Sequence, residues 1–186
     1  MNNKYWFTDI FFNIISFFKD ILTRHEQEIE EIEYIPPTPE PVPVKTSREI
    51  LYETAKACLG MDASPKDAAP DDLACADSVN QIHFKAFGFP IEIPGISTAM
   101  MYQSMLKNKE LFQVVTKPLH GDIIISPTGY GNGRLTHGHM GIVGKYGIMS
   151  NDSMTGKWRQ NYTLESWISY FQWKGGFPVV FFRRIN

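Results

Sequence analysis

The chain has 186 residues, a mass of 21.3 kDa and a formal net charge of −2. This length suits one folded domain with appended segments. A hydrophobic fraction of 43% with 20% charged residues excludes global disorder and a polytopic membrane protein. The slightly acidic balance argues against a general nucleic-acid-binding protein, and two cysteines cannot form a disulfide framework or a four-thiolate zinc site.

The charge and the composition are unevenly distributed along the chain. Residues 1–45 hold eight acidic and four basic side chains (−4), whereas residues 46–186 hold twelve and fourteen (+2). Five of the 13 phenylalanines lie within the first 18 residues, and five of the 12 prolines lie between positions 36 and 43. We therefore expect an amphipathic anchor helix over 1–24, an acidic and proline-rich linker over 25–46, and a folded domain over 47–186.

The first segment has the pattern of an amphipathic helix. Within residues 5–22, large apolar residues recur at steps of three and four, as on one face of a helix: Trp6, Phe7, Ile10, Phe11, Ile14, Phe17, Phe18 and Ile21. The stretch is too short and too interrupted for a standard spanning helix of ~20 residues. The pattern favours a helix in the membrane interface. Docking on a partner such as a virion protein, or on the domain itself, stays open.

The linker ends in the run IPPTPEPVPV at residues 35–44. Proline fixes φ and removes backbone donors, so this run predicts an extended, semi-rigid tether. Recognition of the prolines by another protein is the alternative interpretation.

The folded domain begins near Thr46, and its elements follow an order typical of an α+β fold. Helices come first and antiparallel strands follow. The predicted helices cover 47–60 with Ser47 as N-cap, 75–88, 97–107 and 163–171 with Thr163 as N-cap. The predicted strands cover 121–126, two strands within 139–152 around a tight turn at 145–147, and 178–185.

The two cysteines differ in context. Cys58 lies late in an amphipathic helix beside Ala57 and Leu59, where a cysteine usually packs as a small hydrophobe. Cys75 follows a loop rich in proline and aspartate and opens a predicted helix. A helix N-terminus stabilises a thiolate, and its free N–H groups can hold an oxyanion. Cys75 is therefore the candidate nucleophile, and a buried structural cysteine is the alternative.

His139 is the candidate general base for Cys75. In the strand His139–Met140–Gly141–Ile142, the imidazole and Gly141 share one face, and Met140 and Ile142 share the other. A histidine close to a cysteine at a helix start can take its proton. His137 has the same parity but lies nearer the preceding loop, so it ranks second.

A third polar group is expected to orient the imidazole. Asn151 and Asp152 end the next predicted strand, and the hairpin returns one of them close to His139. Asn151 suits a cysteine–histidine pair because a neutral amide fixes the ring without adding charge, and Asp152 is the substitute. Ordinary turn chemistry also places Asn and Asp at strand ends.

Three segments, LACADSVNQI, HGDIIIS and GHMGIVGKYGIMSND, together resemble the papain-like amidohydrolases and peptidases of the CHAP and NlpC type. The match covers roughly residues 47–186. By position, the resemblance implies that Cys75 is the nucleophile, His139 the base and Asn151 the orienting residue, within a papain-like core. The residues around the cysteine, Ala74–Cys75–Ala76–Asp77, differ from the usual NlpC-type Asp-Cys-Ser-Gly, which leaves the subfamily open.

The resemblance also implies a function. Such enzymes cleave amide bonds of bacterial peptidoglycan, often as lysins of bacteria or bacteriophages, so peptidoglycan is the expected substrate. We expect no cofactor, no metal and no nucleic-acid partner. The anchor and linker predict a protein associated with a membrane or a virion that acts on the cell wall. A papain-fold structural protein without catalysis, and a cysteine amidase or transacylase acting on protein or lipid, are the alternatives.

Overall fold

The structure is a computed structural model, and it describes residues 15–20, 22–23, 44–64 and 69–186. The chain divides into two units, residues 1–42 and 43–186. In the first unit the described residues are helical. The rest of the predicted anchor, its amphipathic face and most of the linker lie outside the described residues. Among the helices that the structure describes, none has both the length and the apolar character needed to cross a membrane.

The second unit begins with three helices. Helix α1 spans Ser47–Ala57, α2 spans Cys75–Phe87 and α3 spans Thr98–Lys107. The N-cap of α1 is Thr46 and not the predicted Ser47. Thr46 is extended and its hydroxyl accepts from the N–H of Glu49, whose carboxylate accepts from the N–H of Thr46. This reciprocal capping explains why the helix starts one residue after the threonine.

Six strands form one sheet in which every neighbouring pair is antiparallel, in the order β1-β6-β2-β3-β4-β5. The strands are β1 Phe112–Val115, β2 Ile123–Ser126, β3 His139–Val143, β4 Ile148–Asp152, β5 Lys157–Tyr162 and β6 Val180–Arg184. A short helix α4, Leu164–Trp167, continues into a π-helical segment, Ile168–Lys174, between β5 and β6. The predicted α+β class is confirmed.

The two strands that the sequence does not predict, β1 and β5, lie at the edges of the sheet. Strand β1 has only four residues, and β5 reads KWRQNY, in which Trp158 is the one buried residue. An edge strand with one buried side chain lacks the alternating apolar pattern by which strands are found in a sequence.

Alternate residues of the strands point to opposite faces of the sheet, and both faces are covered by buried apolar side chains. Ile123, Ile125, Met140 and Ile142 pack with residues of α1, α2 and α3. On the other face, Ile124 and Ile148 pack with Trp167, Phe171 and Phe177. The start of β3 therefore lies between a layer of helices and a layer of aromatic side chains.

Candidate active site

Cys75 is the first residue of α2, and a short 3-10 turn, Asp71–Leu73, leads into it. The side chain is buried, with 6% of the residue exposed. Burial raises the pKa of the thiol to about 11, while hydrogen bonds from main-chain N–H groups of Met140, Ala76 and Cys75 itself act in the opposite direction. The helix start therefore supplies the expected N–H groups, but the loss of solvent outweighs them and keeps the thiol protonated.

Cys58 is also a free thiol, and it belongs to the core cluster under the helices. Burial raises its pKa, and Lys85 opposes the rise. This placement agrees with the interpretation of Cys58 as a small packed hydrophobe.

His139 is the first residue of β3 and is 8% exposed. Its imidazole stacks on Phe171, with 5.5 Å between ring centroids, and lies 5.2 Å from the indole of Trp167 and 5.7 Å from the ring of Tyr162. Burial lowers the pKa of His139 to about 4, and a hydrogen bond to the main chain of Asn151 opposes this shift. The imidazole is therefore neutral at pH 7 and can accept a proton.

The aromatic layer is itself anchored to the strand beside His139. Ser126 pairs with His139 across β2 and β3, and its hydroxyl accepts a hydrogen bond of 3.1 Å from the indole N–H of Trp167. This bond holds the indole beneath the imidazole.

The thiol and the imidazole are brought to the same strand end through Met140. The main-chain N–H of Met140, the residue that follows His139, acts on the thiol of Cys75 and lowers its pKa. Among the described residues, no hydrogen bond joins Sγ of Cys75 to the imidazole of His139 directly. Both groups are uncharged at neutral pH, so the resting site holds a thiol and a neutral imidazole rather than a thiolate–imidazolium pair.

A network of polar side chains contacts the imidazole at Nε2. Nε2 of His139 lies 3.1 Å from Oγ of Ser150, which is fully buried and donates to Oδ1 of Asn161 at 2.6 Å. Nδ2 of Asn161 donates to the main-chain carbonyl of Asn151 at 3.2 Å. The hydroxyl of Ser150 thus lies between the imidazole of His139 and the amide of Asn161, and it contacts both.

The amide of Asn151 is directed elsewhere. Its Nδ2 donates to the main-chain carbonyl of Asp71 at 2.7 Å, and its Oδ1 is buried without a partner in the described part of the chain. The side chain therefore ties β4 to the turn that precedes Cys75. The amide of Asn151 therefore has no hydrogen bond to His139, and only the main chain of Asn151 acts on the imidazole, where it raises the pKa.

The two second-ranked residues lie outside the contacts of the imidazole. The carboxylate of Asp152 accepts from the hydroxyl of Thr155 at 2.9 Å and the N–H of Met154 at 3.0 Å, as in ordinary turn chemistry. His137 is exposed in the segment before β3. Neither residue has a hydrogen bond to His139.

Ser150 and Asn161 are not among the residues predicted from the sequence, although one of them carries a usable signal. A hairpin turn at 145–147 pairs Gly141 with Ser150, so Ser150 shares the face of His139. Asn161 carries no such signal, because it lies in the unpredicted edge strand β5.

No model of a known protein family and no curated protein sequence matches the chain. Within the described ranges, no group of three His, Cys, Asp or Glu side chains has an arrangement that could hold a metal ion.

Proposed function

We propose that the protein is a cysteine hydrolase that cleaves amide bonds of peptidoglycan through a thioester on Cys75. The observation that carries this proposal is the contact between the thiol of Cys75, at the first residue of a helix, and the main chain of Met140, next to His139. A thiol among N–H groups and close to a neutral imidazole has the parts that acyl transfer requires.

The reaction begins from the neutral pair. As Sγ of Cys75 attacks the substrate carbonyl, the imidazole of His139 takes the thiol proton and becomes imidazolium. Main-chain N–H groups around Sγ stabilise the tetrahedral oxyanion. The C–N bond then breaks, the imidazolium protonates the leaving amine, and the acyl group remains on sulfur as a thioester.

Water completes the cycle. The neutral imidazole takes a proton from water as the hydroxide oxygen bonds to the acyl carbon, and the C–S bond then breaks. The sulfur leaves as thiolate and regains the proton from His139. With 6% of the residue exposed, Cys75 offers the substrate carbonyl little open surface.

The aromatic rings around His139 support its role as a base. The imidazolium that forms during the reaction stacks on Phe171 at 5.5 Å and lies 5.2 Å from the centroid of Trp167, within the distance at which the face of a ring attracts a cation. Aromatic contacts therefore offset part of the cost of placing this charge in a buried site.

The choice of peptidoglycan rests on the resemblance of the segments around Cys75, Asp122 and His139 to CHAP and NlpC enzymes. The same resemblance supports a papain-like description of the core and a lysin of bacterial or bacteriophage origin. The anchor helix and the linker would hold the domain beside a membrane or virion, where the cell wall is within reach.

The decisive experiment is digestion of purified peptidoglycan, with mass spectrometry of the released fragments. We expect new amine and carboxyl ends with the native chain, none with Cys75→Ala, and unchanged release with Cys58→Ala. Full release by Cys75→Ala would overturn the proposal. Product analysis with protein and lipid amides separates peptidoglycan hydrolysis from the amidase or transacylase alternative.

The burial of the Cys75 thiol favours a second candidate function, that of a structural protein with the same fold but no hydrolase activity. A cysteine with a pKa of about 11 and 6% exposure suits a packed core position as well as a nucleophile. In that case no amide substrate would be cleaved, and Cys75→Ala would change stability alone.

A further inference from the structure

We propose that Ser150 and Asn161 are positioning residues that hold neutral His139 as the tautomer protonated at Nε2, which leaves Nδ1 as the ring nitrogen free to accept a proton. The role in catalysis rests on the proposed function above, whereas the tautomer does not. The single hydroxyl proton of Ser150 can be used in only one of its hydrogen bonds, and this decides which nitrogen of His139 is protonated.

The first group in this series of hydrogen bonds is a main-chain carbonyl, which can only accept. The main-chain carbonyl of Asn151 accepts from the amide of Asn161 over 3.2 Å, so the atom of that amide facing the carbonyl is Nδ2. The other amide atom, Oδ1, then faces Ser150. An amide oxygen has no proton, so it too can only accept.

Ser150 has one hydroxyl proton and three neighbours that could receive it: Oδ1 of Asn161, the carbonyl of Asn151 and, if it is unprotonated, Nε2 of His139. The distance from Oγ to Oδ1 of Asn161 is 2.6 Å, in the strong range for a hydroxyl donor, whereas the carbonyl of Asn151 lies 3.5 Å away. The proton therefore lies on the bond to Asn161. With its proton used there, Oγ has only lone pairs left for the imidazole.

The imidazole must then be the donor in the contact between Nε2 of His139 and Oγ of Ser150, which measures 3.1 Å. A neutral imidazole has a single N–H, so a proton on Nε2 leaves Nδ1 with a lone pair. Ser150 is fully buried, so water cannot replace this contact without opening the strand pair.

The amide of Asn151, which is predicted from the sequence to orient the ring, is used in another contact. Its Nδ2 binds the carbonyl of Asp71. The Asn151 amide therefore connects β4 to the turn before Cys75. Ser150 and Asn161 determine which nitrogen of the His139 ring is protonated.

The test is nitrogen NMR of the full chain labelled in its histidine rings, at pH 7, with the His139 signals assigned by their loss in His139→Gln. We expect a protonated-type shift at Nε2 and an unprotonated-type shift at Nδ1. Asn161→Ala frees the serine hydroxyl to donate to the ring, so the two shifts should move towards each other. Asn161 is exposed, which makes this substitution compatible with folding.

Two further variants make the result specific. Asn161→Asp keeps an acceptor for Ser150 and should restore the shifts of the native chain. Thr46→Ala removes a hydrogen bond at the distant α1 cap and should leave the shifts unchanged. A native ring protonated at Nδ1, or unaltered shifts in both Asn161→Ala and Ser150→Ala, would overturn the assignment.

Activity is the separate readout for catalysis. If the native chain releases peptidoglycan fragments, Asn161→Ala should lower kcat by up to about 100-fold with little change in KM, since general-base catalysis contributes roughly 10²–10⁴-fold. Asn161→Asp should recover much of that loss. An inactive native chain with the expected shifts would overturn the proposed function but not the tautomer.

Discussion

The imidazole of His139 lies parallel to the ring of Phe171, with 13° between the ring planes and 5.5 Å between the centroids. Stacking of this kind removes water from the ring and makes its protonation costly. His83, in α2 on the other side of the sheet, is also buried. Its Nδ1 donates to the main-chain carbonyl of Phe89 over 2.8 Å, and its Nε2 has no partner among the described residues. The protonation of both histidines is therefore coupled to folding, so the free energy of unfolding depends on pH.

We expect the protein to lose stability as the pH falls from 6.5 to 4. Burial lowers the pKa of His83 and of His139 to about 4, so the unfolded chain takes up protons first, and the folded state is favoured fully only above the unfolded pKa of 6.5. The loss should be up to about 3 kcal/mol for each histidine. Urea unfolding of the native chain at pH 7, 5 and 4 measures it, and His83→Phe should reduce the slope.

Cys75 should react slowly with iodoacetamide at neutral pH, and its rate should rise about tenfold per pH unit up to pH 11. The reason is that only the thiolate reacts, and burial raises the pKa of the Cys75 thiol to about 11. Mass spectrometry of Cys58→Ala isolates the reaction of Cys75. Modification at pH 7 as fast as in the urea-unfolded chain would contradict the buried environment.

Gly138→Ala should destabilise the fold by about 1–3 kcal/mol or more. A Cβ at Gly138 would meet the carbonyl oxygen of Ser126, lie 2.6 Å from the N–H nitrogen of Thr128 and lie 2.8 Å from the carbonyl carbon of Pro127, all of them main-chain atoms that cannot rotate away. Gly133→Ala is the matched control. Gly133 has a φ of +82° but no atom within 4 Å of the added Cβ, so it measures backbone strain alone.

Denaturant midpoints should therefore fall further for Gly138→Ala than for Gly133→Ala. Because Gly138 precedes His139, the larger loss should be accompanied by a change in the His139 ring signals. Equal midpoints for the two variants would contradict the close approach of β2 to this glycine.

The neighbouring arginines at the end of β6 should respond in opposite ways to replacement by methionine. Arg184 is 5% exposed and lies 4.4 Å from the ring centroid of Phe87, yet its Nε and Nη1 have no partner in the described part of the chain. Each unsatisfied donor costs about 1–3 kcal/mol, so the two together cost about 2–6 kcal/mol, which exceeds the roughly 2 kcal/mol that a buried cation–π contact returns. Arg184→Met should therefore be neutral or stabilising.

Arg183 provides the contrast. Its guanidinium donates to both carboxylate oxygens of Asp122 at 2.9 and 2.8 Å, and Asp122 is fully buried. Arg183→Met leaves that carboxylate without its cation, and loss of one partner of a buried pair costs about 3–5 kcal/mol. Thermal unfolding of the two variants checks the order, and a larger loss for Arg184→Met would contradict it.

Several parts of the fold follow from the sequence because they depend on local pattern. The change from helical to strand periodicity predicts the α+β class and the helix that begins at Cys75. The turn at 145–147 predicts the hairpin of β3 and β4, and with it the face that Ser150 shares with His139. These features depend on residues close together in the chain, whose spacing is visible in the sequence.

The environment of the site depends on residues far apart in the chain. Strand β5 brings Asn161 to Ser150, and α4 with its π-helical extension brings Trp167 and Phe171 to His139. Periodicity shows that a side chain is buried but not which distant side chain lies against it. For this reason the sequence determined the candidate thiol and imidazole, whereas only the tertiary structure decided their burial, their pKa values and the hydrogen bonds that orient the ring.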